Sequence, residues 1–546
     1  MKLLYTLTLF ILYQFSFNFC SAQTAKVYSG AGLLKGTYTT IAAAFAAGAD
    51  GDSFVLSPHT FYEFNLFKLG SSLKSVLQGT ISGTDTSTIN PSGKGAVLGF
   101  EGTIRDIVLT GGAPFGTSDG GALGIAGKVA GNTVIRNNVS NNGRIVSMIK
   151  GVICDNVRII NNTIISTPGS GVITATLEIG NAVIRDNVVI SGNKGGKSGA
   201  ISIGVATDRG DTNVTKNAYY LQIEGNVHIE NNEGSKSGAI WLPTGSVGRY
   251  VSIKGATIIN NKVTESGNGA AINADSGKVI TVFTPYDSIA VPYIHIINSR
   301  IFNPLPDGSR QTEIRLCSRR THTSTPTVFK PPIFYTEGCW WGESDTTGLI
   351  KKDPGTWFTM NNWAVTNWFC SPMGTSSTKV MSVMRLNTGA ALPPNSLKGL
   401  EGKFFATAGT FSAPTSTITS ANVVTGDYTY PSSGTFAVTA VIDADTFRPT
   451  TKMLGIKEQG FEQVKIYPNP AKDVINISGA EDGSLITVYS IQGAVVMTQE
   501  TGASGQGSGN SGQVTVMDVS KLPAGSYILK IKNKNGGEGS AKIIVE

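Results

Sequence analysis

Between about residues 100 and 305 the chain repeats a short unit that few folds accommodate. The unit is a strand of alternating apolar residues, a Gly or Asn turn, a second short strand and an Asn pair. It reads Thr133-Val134-Ile135-Arg136-Asn137-Asn138 and Val157-Arg158-Ile159-Ile160-Asn161-Asn162. It recurs as Val183-Ile184-Arg185-Asp186-Asn187, Val227-His228-Ile229-Glu230-Asn231-Asn232 and Thr257-Ile258-Ile259-Asn260-Asn261, with a fainter copy ending at Asn303. A second signature follows the Asn turn: Lys197-Ser198-Gly199-Ala200-Ile201, Lys236-Ser237-Gly238-Ala239-Ile240, and more loosely Gly269-Ala270-Ala271-Ile272 and Gly120-Gly121-Ala122-Leu123. The period wanders between roughly 24 and 45 residues, one coil of a parallel β-helix with or without a loop. Such a coil turns on a residue that tolerates left-handed backbone, and Asn does so best after Gly. Stacked coil on coil, the Asn side chains are expected to bond one another as a ladder. A leucine-rich repeat would need regular Leu spacing, and none is present.

The rest of the chain is consistent with an all-β protein: 66 Gly, 15% charged residues and almost no helical patterning. The repeats resemble right-handed parallel β-helix proteins of the pectate-lyase-like superfamily, and surface proteins carrying Gly-Gly-Ala-Ile repeats in particular. The resemblance reaches back to an Ala-rich helix at 38–47 followed by Gly51-Asp52-Ser53-Phe54-Val55-Leu56, the opening of an N-terminal cap over an otherwise open core. Five of six tryptophans crowd the far end: Trp340, Trp341, Trp357, Trp363 and Trp368. Cys339-Trp340-Trp341-Gly342 is similar to an Asn-Trp-Trp-Gly element at which such β-helices terminate, with Cys339 in place of Asn. Two readings stay open for these indoles. They bury the end of the helix core, or they form a sugar platform with Arg315, Arg319 and Arg320 holding acidic groups.

Residues 23–375 are therefore expected to form the β-helix with its two caps. The pattern then changes to a compact Ig-like β-sandwich at 376–446, with Val380-Met381-Ser382-Val383-Met384 and Gly434-Thr435-Phe436-Ala437-Val438 among its strands. It ends at Asp443-Ala444-Asp445-Thr446, a polar turn or a single-cation corner, and 447–463 reads as a linker.

Residues 464–546 alternate apolar and polar residues in short runs broken by Pro, Gly and Asn, which predicts a small β-sandwich. Its landmarks are Tyr467-Pro468-Asn469-Pro470, a central Gly493, Pro523-Ala524-Gly525-Ser526-Tyr527 and a strand at the very C-terminus. In that order they resemble the C-terminal type A sorting domain of the type IX (Por) secretion system of Bacteroidetes. The resemblance implies export by that machinery, removal of the domain outside the cell, and a mature protein that is secreted or held on the cell surface.

The N-terminus agrees. Lys2, an apolar run from Leu3 to Phe19 and the small-x-small site Cys20-Ser21-Ala22 read as a secretory signal peptide spanning 1–22. No stretch reaches the length of a membrane span. Of the five cysteines, Cys154 reads as a buried thiol, whereas Cys317, Cys339 and Cys370 are close enough in sequence for one bridge in an oxidising compartment. The formal charge of +7 loses one unit with Lys2, and seven Lys balance seven acidic residues after 463, so the body carries about +6. That diffuse positive charge favours acidic surfaces slightly and does not argue for nucleic acid.

Catalytic chemistry is hard to find. Asp155, Glu178, Asp186, Glu224 and Glu230 share no position in successive coils, so the carboxylate clusters of calcium-dependent lyases are missing. Lys216, Lys254, Arg136, Arg158 and Arg185 have no spacing that singles out a lyase base. His59, His228, His295 and His322 are isolated, with no metal-ligand spacing. Arg209-Gly210-Asp211 is an integrin-type tripeptide of the sort that occurs by chance. The expectation is an all-β rod that binds polysaccharide or host glycans without catalysis and without a cofactor, calcium having no ligand cluster. The alternative is a polysaccharide-degrading enzyme, a lyase before a hydrolase, acting on acidic polymers.

Overall fold

The computed structural model describes residues 22–546 apart from 69, 71, 114–120, 142, 166–170, 176–179, 204–219, 244–249, 276, 279–292, 318–328, 331, 355, 371–376, 398, 432–435, 449–463, 481–482, 491–493, 502–513, 533 and 535–537. The expected signal peptide, Arg209-Gly210-Asp211, Arg319, Arg320, Gly493 and most of the expected linker lie outside the described residues.

Up to Trp363 the chain winds as a stack of coils with parallel strands on three faces. One face is a nine-stranded parallel sheet that includes Val134–Arg136, Arg158–Ile160, Val189–Ser191, His228–Glu230, Thr257–Ile259 and Arg300–Phe302. The other two faces are halves of one longer strand. In the early coils that strand is continuous, as Leu98–Arg105, Leu123–Ala130 and Val146–Ile153. Gly102, Gly127 and Gly151 sit in register at its midpoint with φ of +144°, +130° and +144°. A Cβ on any of them would lie 2.1–2.2 Å from a carbonyl oxygen of the preceding coil, so only Gly passes this corner. In later coils the strand splits. The chain leaves after Leu242, Ala274 and Leu316 and returns at Tyr250, Tyr293 and Ile333.

Side chains alternate in and out along these strands. The inward positions form aliphatic columns, with Ile184, Ile223, Ile253 and Ile296 on one face and Ile159, Ile190, Ile229, Ile258 and Ile301 on another, all fully buried. The Asn pairs divide the labour. Asn137, Asn161, Asn231 and Asn260 adopt φ near +55°, and the following Asn turns inward, fully shielded from solvent. Asn138, Asn162, Asn193, Asn232, Asn261 and Asn303 form one ladder. Each Oδ1 from Asn162 onward accepts both the backbone N–H and the Nδ2 of the preceding rung at 2.6–3.1 Å. Each Nδ2 also donates to a carbonyl one coil back. Glu313 ends the ladder by accepting from Asn303 N at 2.7 Å and Nδ2 at 2.6 Å. One rung differs from expectation: Asn193, after Gly192 at φ +66°, takes the place assigned to Asn187. Asn187 belongs to an exposed set, donating to Asn156 at 3.2 Å and accepting from Asn226 at 2.8 Å.

Both ends of the stack are covered. The helix Ile41–Ala47 buries Ile41, Ala44 and Phe45, with Phe45 edge-on to Phe54 at 5.0 Å. Thr40 caps its N-terminus, Glu63 accepts from Ile41 N and Ala42 N, and Lys68 donates to the carbonyls of Phe45 and Gly48 at its other end. At the far end Trp341 is wholly buried in the β-helix core, and its neighbour Trp340 in the core of the next unit.

That unit is a sandwich of two antiparallel sheets, one holding Ser377–Leu386 and Val423–Thr429, the other Glu401–Ala406 and Val438–Ile442. The expected boundary at 375/376 needs correction. The single strand Trp357–Cys370 pairs in parallel with Ile333–Cys339 up to Trp363, and antiparallel with Ser377–Leu386 from Ala364 onward. The sandwich core therefore begins at Ala364. The Asp443–Asp445 turn holds the two units together. Asp443 pairs with Arg300 and accepts from Trp340 Nε1 at 2.8 Å, while Asp445 accepts from the hydroxyls of Ser344 and Thr366. The last unit, from Lys465, is a three-stranded sheet facing a four-stranded one over Ile475, Ile477, Val488, Leu529 and Ile543.

Candidate functional site

Two places in the molecule gather residues that were singled out by pattern. The first is the start of the last unit. Tyr467-Pro468 and Asn469-Pro470 are both cis. Asn469 bridges to the C-terminal strand, its Oδ1 accepting from Ile544 N and its Nδ2 donating to Lys542 O, each at 2.8 Å. Ala471 N adds a bond to Ile544 O at 2.8 Å. Gly525 opens the strand Gly525–Lys532, and Tyr527 closes the Pro523-Ala524-Gly525 turn by donating its hydroxyl to Pro523 O at 2.6 Å. The landmarks at either end of this unit are thus hydrogen-bonded into one assembly.

The second place is the outward face of the late β-helix coils. Parallel register aligns Tyr220, Tyr250, Tyr293, Ile333 and Trp357 in one row. Beside it runs Gln222, Ser252, His295, Tyr335 and Thr359, and beyond that Glu224, Lys254, Ile297, Glu337 and Asn361. Tyr250 and Tyr293 stack at 5.0 Å with rings 9° from parallel, which turns their faces to each other and their edges outward. His295 fits between, with Nδ1 3.2 Å from Tyr250 Oη and its ring edge-on to Tyr335 at 4.6 Å. Burial holds this imidazole below its ordinary pKa, against the pull of Glu337. At the end of the row Trp357 is 74% exposed. Tyr335 donates to Glu337 Oε2 at 2.7 Å and accepts from Asn361 Nδ2 at 3.2 Å.

The other candidates are placed differently. Trp340 and Trp341 have no exposed surface, so neither presents a ring to a sugar. Trp363 packs against the β-helix core and donates to Ser344 O at 3.0 Å; Trp368 stacks on Phe447 at 5.5 Å inside the sandwich. Arg315 is ion-paired with Asp353, which leaves it committed to the protein. Next to it, Trp241 Nε1 and Asn273 Nδ2 each donate to Asp275 at 3.1 Å, and burial raises the Asp275 pKa against these bonds. The four described cysteines are free thiols, Cys154 and Cys339 buried, with burial pushing both up to about 11. Among the described residues no group of three His, Cys, Asp or Glu is placed to hold a metal, and no helix is long and apolar enough to cross a membrane.

The tyrosine row was missed in the sequence, although the signal was there. Tyr220, Tyr250 and Tyr293 each open the strand that follows an insertion, the same position in three successive coils.

Residues 465–546 match the family described as the secretion system C-terminal sorting domain. No curated protein matches the chain. Among solved structures, one similar to this chain is the Yersinia pseudotuberculosis adhesin InvE, at 14% identity and TM-score 0.12, over 33% of this chain and 58% of that one. Another is the BSP domain of a biofilm associated protein, at 18% identity and TM-score 0.12, over 33% and 29%. A third is latent PorU from Porphyromonas gingivalis, at 16% identity and TM-score 0.12, over 36% and 22%. The chain thus spans less than two thirds of each of these structures, and the likeness is too slight to carry an argument. The family match and the hydrogen-bonded assembly around Asn469 and Tyr527 together make residues 465–546 a type IX secretion sorting domain, which addresses this parallel β-helix protein to the cell surface or the surrounding medium.

Proposed function

We propose that the mature protein, freed of residues 1–22 and of its sorting domain, is a surface or secreted rod that binds glycans through the outward face of its late coils and performs no chemistry on them. The observation that carries this reading is Trp357: a large indole left 74% exposed and in register, across Ile333, with Tyr293, Tyr250 and Tyr220. An isolated exposed apolar side chain needs no explanation, but an exposed indole in line with three tyrosines offers a pyranose a ring on which to stack. The neighbouring Tyr335, Glu337 and Asn361 supply hydroxyl, carboxylate and amide groups for sugar hydroxyls.

Retention on a panel of immobilised neutral and acidic polysaccharides tests it, with Trp357→Ala set against Trp363→Ala. Trp357→Ala is expected to lower retention and leave the melting temperature unchanged. Trp363→Ala should lower the melting temperature and leave binding per folded molecule intact. Full retention by Trp357→Ala would sink the proposal, and new chain ends in the panel would replace binding with catalysis.

A further inference from the structure

The geometry points to the class of ligand: we infer that this face takes a neutral oligosaccharide laid along the strand direction, one sugar on Trp357 and another read by Glu337 and Asn361. The inference rests on the platform reading of Trp357. Trp357, Thr359 and Asn361 are alternate residues of one strand and point to the same side. Four residues at about 3.3 Å each separate Trp357 from Asn361 by about 13 Å. Glu337 is the register partner of Asn361 on the adjacent strand, about 4.8 Å across. A single sugar ring on the indole cannot bridge that span, whereas a chain of a few rings can.

The polar end of the track is already oriented. Tyr335 sits between the two ends and is held by both of its polar neighbours, donating to Glu337 Oε2 at 2.7 Å and accepting from Asn361 Nδ2 at 3.2 Å. The carboxylate accepts, so it suits a hydroxyl donor and repels a second carboxylate. The hydrogen bond with Glu337 is the main cause raising the Tyr335 pKa, which keeps the phenol neutral and donating. On the far side of the ladder, Ile297 rather than a cation is the register partner of Glu337. The cation of the same row, Lys254, stands one strand further off, beside Ile297. A uronate chain would bring its own carboxylates against Glu337.

The test is binding by the purified full-length protein of glucose and of hexameric glucan, xylan and mannan, with trigalacturonate as the acidic probe. At least one neutral hexamer is expected to bind more tightly than the monomer and than trigalacturonate. Glu337→Gln and Asn361→Ala should each weaken that hexamer about tenfold, roughly one hydrogen bond to a polar group, and leave the melting temperature unchanged. Glu337→Gln should also narrow the gap to trigalacturonate. Loss of binding in Trp357→Ala with none in Glu337→Gln or Asn361→Ala would overturn this inference and leave the platform standing. Tighter binding of trigalacturonate than of every neutral hexamer would overturn the neutral class. Binding of no probe, or binding indifferent to Trp357→Ala, would overturn the platform and this inference together.

Discussion

Asn232→Ala removes an interior rung of the buried ladder, and the cost follows from the bonds it breaks. Asn232 Oδ1 accepts from Asn193 N at 3.0 Å and Nδ2 at 2.9 Å, and its Nδ2 donates to Ile190 O at 2.9 Å and Asn261 Oδ1 at 3.0 Å. After truncation the Asn193 backbone N–H is left without a partner in a site that water does not reach. The Ile190 carbonyl loses its side-chain donor as well. At about 1–3 kcal/mol for each buried group left unsatisfied, the expected loss is about 3–5 kcal/mol. Asn226→Ala is the control, since Asn226 belongs to the exposed Asn156–Asn187–Asn226 set and water replaces its partners; it should cost under about 1 kcal/mol. Urea unfolding followed by circular dichroism gives the difference. Because stacked coils need not unfold as one, amide exchange at Asn193 locates it. A loss for Asn232→Ala equal to that for Asn226→Ala, or unchanged protection of the Asn193 amide, would refute the claim that the ladder is a stabilising network.

Other changes test other parts. Burial pushes the Glu313 carboxyl up to about 7 from an ordinary value near 4.5. The folded state then holds a proton that the unfolded chain gives up, so this contribution is full below about pH 4.5 and is lost as pH rises to about 7. The swing is about 3 kcal/mol, and Glu313→Gln should flatten that part of the stability–pH curve. Gly127→Ala sets a Cβ 2.2 Å from Gly102 O at φ +130°, and should cost more than about 3 kcal/mol or abolish folding, read by melting temperature. Asp443→Ala strands a mostly buried Arg300 guanidinium and should cost about 3–5 kcal/mol, with Arg300→Ala/Asp443→Ala less damaging than the sum of the single changes. Asn469→Ala breaks two bonds to the C-terminal strand and should lower the exported fraction, measured as the share of protein outside the cell.

The coil stack was legible because its signals are local and recur: an Asn pair marks each turn, and aliphatic alternation marks each wall. The ladder itself could be foreseen, but the division between a left-handed Asn and a buried one follows from which way the turn points its second residue. Asp186-Asn187 imitates the Asn pair in sequence, whereas the structure uses Gly192 for the left-handed position and frees Asn193 to turn inward. The tryptophans show the opposite limit. Their crowding is visible, but burial depends on partners far along the chain, such as Asp443 for Trp340. Arg315 likewise looked free until Asp353 came beside it. Trp357 and the tyrosine row are readable only after coils are aligned through insertions of unequal length, which periodicity alone does not supply.

The strand Trp357–Cys370 has a mechanical consequence. One unbroken backbone is a wall of the β-helix for its first half and of the sandwich for its second. No hinge separates the units, and the Asp443–Arg300 pair and the Asp445 hydroxyl bonds lock them on a second line. A pull along this strand loads its lateral hydrogen bonds together, in shear, instead of peeling them one by one. The late coils and the sandwich should therefore resist flow as one stiff lever, and yield all at once when they yield.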